Sequence, residues 1–82
     1  MHIGKRIKEV CEVRNISANQ LASMISCDRS NIYYIFQREN IDTGLLIRIA
    51  KALHYDFFRD YSEEIFPINM MWNATATYNR HK

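Results

Sequence analysis

Two helix-start signals, at Ser17 and Asp28, stand so close together that they dictate the architecture between them. In Ile16-Ser17-Ala18-Asn19-Gln20-Leu21 the Ser17 hydroxyl is placed to accept from the Gln20 amide, and the Gln20 side chain to return to the Ser17 amide. Ile16 is placed to staple onto Leu21. Asp28 is a second N-cap, with Cys27 and Ile32 as a second staple. The helix begun at Ser17 carries Leu21, Ala22 and Ile25 and must break at Ser26-Cys27, so the sequence predicts two short helices joined by a very tight turn.

Apolar residues keep helical spacing nearly throughout the chain, and no run alternates with the period of two that a strand needs. A first helix places Ile3, Ile7, Val10 and Cys11 on one stripe and should stop near Asn15, which tolerates the left-handed conformation. Asp42 caps a fourth helix, with Ile41 opposite Leu46 and with Leu45, Leu46, Ile49, Ala50 and Leu53 on one face. Asp56 caps a last short helix holding Phe57, Phe58 and Tyr61, and Pro67 forbids its continuation. The expected fold class is all-α: a compact five-helix bundle over residues 1–64 with a helix-turn-helix in helices two and three, followed by a short C-terminal tail over 65–82. That tail reads as a dimer contact, as a segment folding back onto helices four and five, or as a loose or β-prone arm.

With 82 residues, 48% of them hydrophobic, the chain can build one small core and no separate substrate domain. Neither a secretory leader nor an apolar run long enough to span a membrane is present, which predicts a cytoplasmic protein. Cys11 and Cys27 are expected to be reduced, buried thiols. His2, His54 and His81 fall at no metal-ligand spacing, and no metal, cofactor or small-molecule ligand is expected. Gly4 and Gly44 are the only glycines, so there is no phosphate-cradling glycine loop, and no nucleophile stands beside a base; the chain is not expected to be an enzyme.

Charge is distributed unevenly. Residues 1–38 carry six basic side chains against three acidic ones, and residues 39–64 carry three against six. A basic stretch followed by an acidic one suits a protein that turns one face to a polyanion.

A helix-turn-helix offers its second helix to the DNA major groove, about 12 Å wide. Projecting helix three at about 100° per residue, with Ile32 at 0°, puts Ile35 near −60° and Phe36 near 40°. Tyr33, Gln37, Ser30 and Tyr34 fall at roughly 100°, 140°, 160° and 200°, away from the core. Arg29 stands at the N-terminal end, where helix residues reach base edges. The amides of Ala18, Asn19 and Gln20, at the start of helix two, are expected to be free to hold a phosphate.

The stretches IGKRIKEV, ISANQLASMISCDRSNIYYI and LLIRIAKAL, in that order and spacing, resemble the lambda-repressor-like, Cro/XRE-type helix-turn-helix domain from Ile3 to Tyr61. The resemblance implies a bundle of five α-helices acting as a sequence-specific transcription regulator, often a dimer on a palindromic operator. Carried over by position, it puts Arg29, Ser30 and Tyr34 at the principal base-reading places, with Asn31 and Tyr33 beside them. Gln37, Arg38 and Asn40 fall where family members touch phosphate. The chain departs from the family pattern at Ser26, where the turn favours glycine, and at Ala18, where a phosphate-contacting glutamine is usual. Cys11 and Phe36 replace an arginine and glutamate that commonly pair, and the net charge of +2 is modest for a DNA binder.

The expected function is therefore a transcriptional regulator binding double-stranded DNA through residues 28–37, as a homodimer. The alternative is an antitoxin-like or anti-repressor-like protein-interaction module on the same fold. Its support is the tyrosine-rich, lysine-free outer face of helix three, since tyrosine is enriched at protein interfaces.

Overall fold

Helices form where the chain supplies an acceptor for the orphan amides of a first turn. The computed structural model describes residues 1–67, and among these the chain forms five helices: α1 (Ile3–Val13), α2 (Ala18–Met24), α3 (Arg29–Phe36), α4 (Thr43–Leu53) and α5 (Phe57–Ile65). The expected capping box is complete, with Ser17 Oγ accepting from the Gln20 amide at 3.1 Å and Gln20 Oε1 from the Ser17 amide at 2.7 Å. Asp42 accepts from the Leu45 amide at 2.9 Å, and Asp56 from the amides of Phe58 and Arg59. His2 caps α1 through Nδ1, which accepts from the Lys5 amide at 3.1 Å. Asp28 has the extended backbone of an N-cap, yet its side chain makes no cap hydrogen bond.

Three helices end in one way. After α1, Asn15 turns left-handed (φ 58°) and Ile16 donates to the Cys11 carbonyl at 2.8 Å. After α2, Ser26 (φ 55°) lets Cys27 donate to Ala22 at 2.9 Å, and after α4, His54 (φ 51°) lets Tyr55 donate to Ala50 at 3.0 Å. These are Schellman closures, each placing a partly buried side chain, Ile16, Cys27 or Tyr55, against the core. None uses glycine. At Ser26 the missing glycine costs about 1 kcal/mol, because a Cβ crowds the backbone in this conformation.

The core is wholly apolar: Ile3, Ile7, Val10 and Cys11 of α1 meet Leu21, Ala22 and Ile25, then Ile32 and Ile35, then Leu46, Ile49, Leu53 and Phe57. Burial pushes ionisation of the Cys11 thiol up, with Glu12 nearby adding to it. Cys27 is only half-buried, which corrects the expectation of two buried thiols.

Polar seams close the bundle at its edge. Arg6 donates through Nε to Asp60 at 3.0 Å and through Nη2 to the Tyr55 hydroxyl, which itself donates to Asp60 at 2.9 Å. Asp60 first, and Tyr55 second, hold the Arg6 guanidinium above its ordinary pKa. Arg14 donates to the His54 carbonyl at 3.0 Å, and Arg48 to the Ile25 carbonyl in the turn between α2 and α3. No helix among the described residues is long and apolar enough to cross a membrane. The proposed roles of the tail beyond position 67 lie outside the described residues.

Candidate nucleic-acid interface

The seat of α3 is made by two features of sequence. Ile32 and Ile35 are buried, and the start of α1 is pressed against the helix end. A Cβ on Gly4 would stand 2.4 Å from the carbonyl oxygens of both Ile35 and Phe36, so only glycine fits. The unpaired first amides of α1 use this approach, since Ile3 donates to the Glu39 carbonyl at 3.2 Å and Gly4 to Arg38 at 2.9 Å. Backbone thus meets backbone at the end of α3, which fixes its position and that of residues 38 and 39.

Every residue expected to read bases, Arg29, Ser30, Asn31, Tyr33 and Tyr34, is exposed, as are Gln37, Arg38 and Asn40. Tyr34 is 63% exposed and Tyr33 46%, large areas for aromatic rings on a helix whose other face is core. Each tyrosine holds an arginine one turn away. The Arg29 guanidinium carbon lies 5.4 Å from the Tyr33 ring centroid, and Arg29 donates to the Tyr33 hydroxyl through Nη2 at 3.0 Å and Nε at 3.3 Å. Arg38 lies 5.8 Å from the Tyr34 ring centroid and donates through Nε to the Asn40 carbonyl at 3.2 Å. Tyr33 in turn meets half-buried Phe36 edge-on at 6.2 Å.

This geometry has chemical consequences. The Nε side of Arg29 is engaged by Tyr33, while the Nη1–Nη2 end keeps two N–H groups, enough for one bidentate contact. Cation–π contact also limits the rotamers of both arginines, so less freedom is lost when they engage a partner.

At α2 the expectation needs correction. The Gln20 amide is occupied by Ser17 Oγ, and the Gln20 side chain by the Ser17 amide, so neither is available as drawn from the sequence. Only the amides of Ala18 and Asn19 have no protein acceptor among the described residues, on a helix of seven residues.

Sequence reasoning gives no site role to three residues of α1 and its cap. His2, Lys5 and Lys8 line a cleft with Tyr33, Phe36 and Gln37 along the flank of α3. The signal was present, since Lys5 and Lys8 stand one turn apart off the apolar stripe, but only the fold reveals which neighbour they face. Among the described residues no group of three or more His, Cys, Asp or Glu side chains is placed to hold a metal ion. Compared with models of protein families, with curated proteins and with solved structures, the chain matches none.

Proposed function

We propose that this protein is a sequence-specific transcriptional regulator that binds double-stranded DNA by laying α3 in the major groove, as a homodimer. The observation that carries the reading is the outer face of α3, on which Arg29–Tyr33 and Tyr34–Arg38 form two guanidinium–aromatic pairs beside exposed Ser30, Asn31 and Gln37. A helix about 10–12 Å across fits a groove about 12 Å wide. In the groove the free end of Arg29 suits guanine O6 and N7, Asn31 suits adenine, and a tyrosine ring packs on a thymine methyl. Arg38, Gln37 and Asn40 follow at the helix end as phosphate contacts, and the amides of Ala18 and Asn19 supply a further anchor. The order of elements also agrees with the lambda-repressor-like domain that the sequence resembles.

A second reading is favoured by one observation, that α3 carries two exposed tyrosines and no lysine. On it the face docks another protein and reads no DNA.

Selection from a random duplex pool at low salt, followed by binding of the winners to an Arg29→Ala variant, separates the two. The expected result is enrichment of a two-fold symmetric site with half-sites about 10 bp apart, and loss in Arg29→Ala of about 1–3 kcal/mol of discrimination at one base pair. If no duplex enriches and none binds at low salt, DNA recognition is refuted and Tyr33 and Tyr34 become the centre of a protein-docking face.

A further inference from the structure

The basic residues of α1 divide into two sets. Arg6 is committed to Asp60 and Tyr55 and also pairs with Glu9 at 3.3 Å. Lys5 and Lys8 are exposed and, among the described residues, have no carboxylate within ion-pair distance. They face the cleft that borders α3, whose remaining lining is His2, Tyr33, Phe36 and Gln37, with no acidic residue. Because His2 Nδ1 accepts from the Lys5 amide, the ring's proton sits on Nε2, which is then a donor. Gln37 offers an amide donor as well.

A cleft with two unpaired ammonium groups, further neutral donors and no carboxylate fits a linear polyanion. It also runs beside the helix proposed to enter the groove. We propose that Lys5 and Lys8 form a second phosphate-binding wall, along which one DNA strand passes as α3 reads the bases. This rests on the DNA-binding reading above and widens the interface from the helix-turn-helix to α1. Lys5 and Lys8 are about 4.5 Å apart along the helix axis, and long flexible stems let both reach neighbouring phosphates.

The consequence is electrostatic and independent of sequence. For B-DNA, log K falls with log salt with a slope of about −0.9 per neutralised phosphate. The test measures binding of a mixed-sequence duplex by the full chain across a salt series, for the wild type, Lys5→Gln/Lys8→Gln, Lys51→Gln and Arg29→Ala. Lys51 is an exposed lysine on α4 that lines no part of this cleft, so its loss shows the effect of removing one positive charge away from the cleft. The expected result is a slope shallower by about 2 in the double variant, a nearly unchanged slope in Lys51→Gln, and retained base preference on an enriched site. An unchanged slope in the double variant, or an equal change in Lys51→Gln, overturns the wall while leaving the DNA-reading role of Arg29 intact. A wild type that binds no duplex at low salt overturns both. All the substituted side chains are exposed, so thermal melting should stay close to that of the wild type and verifies folding.

Discussion

The two helices on either side of the turn, α2 and α3, are of similar length and use their polar groups in opposite ways. At α2, Ser17 and Gln20 satisfy one another, the helix ends in a Schellman closure at Ser26, and Arg48 fastens the carbonyl of Ile25 at the helix end. At α3, Asp28 occupies the cap position without bonding an amide, and Arg29, Ser30, Asn31, Tyr33, Tyr34, Gln37 and Arg38 face outward while Phe36 packs toward the core. Its hold on the fold comes instead from two isoleucines and from backbone contact with Gly4. The start of α2 is closed by its own side chains, whereas α3 is held from beneath and keeps its polar side chains, apart from the arginine–tyrosine pairs, on the exposed face.

Gly4→Ala breaks this arrangement most severely. The added methyl meets two backbone carbonyls that cannot rotate away, so α1 and α3 must separate. Overpacking of this kind costs about 3 kcal/mol, a large share of the stability of a domain this size. Denaturant unfolding should give a much lower midpoint, whereas Arg29→Ala should stay within about 0.5 kcal/mol of the wild type. A well-folded Gly4→Ala protein would mean that the seat of α3 is not where the structure places it.

The contrast between the two helix starts is tested by a pair of changes. Ser17→Ala removes a bonded cap and should cost about 1 kcal/mol. Asp28→Ala removes a carboxylate that makes no cap bond and retains only its attraction to the helix dipole, so a few tenths of a kcal/mol is expected. Equal losses in thermal or denaturant unfolding would erase the distinction between a helix start closed by its own side chains and one that is not.

Local chemistry is largely legible in the sequence, the expected cap bond at Asp28 being the exception, and long-range chemistry is not. The capping box at Ser17, the caps at Asp42 and Asp56 and the burial of Ile32 and Ile35 all depend on residues within one turn, and all are found as expected. The same projection correctly turned Tyr33 and Tyr34 outward. The requirement for glycine at position 4 depends on carbonyls more than thirty positions away, and the Arg6–Tyr55–Asp60 seam joins α1 to α5; no local pattern encodes either. The pairing of Arg29 with Tyr33 and of Tyr34 with Arg38 is an intermediate case. Its one-turn spacing was visible, but spacing alone does not say whether an arginine lies on a ring or extends into solvent. The sequence allows the Gln20 amide to serve either the cap or a phosphate, and the formed hydrogen bond decides for the cap.

Small effects of the opposite sign are expected at the helix ends, where α2 closes as α1 and α4 do. Asn15, Ser26 and His54 share one left-handed conformation in one closure but differ in tolerance for it. Asparagine visits this region readily, histidine is also enriched there, and serine is less so. Ser26→Gly should therefore raise stability by about 0.5–1 kcal/mol and His54→Gly by less, the relief of Cβ crowding being offset in part by the greater freedom of glycine in the unfolded chain. Asn15→Gly should change little. If Ser26→Gly were destabilising while His54→Gly stabilised, the Ser26 hydroxyl would have to make a contact that the backbone geometry does not require, and the turn before α3 would differ in kind from the other two.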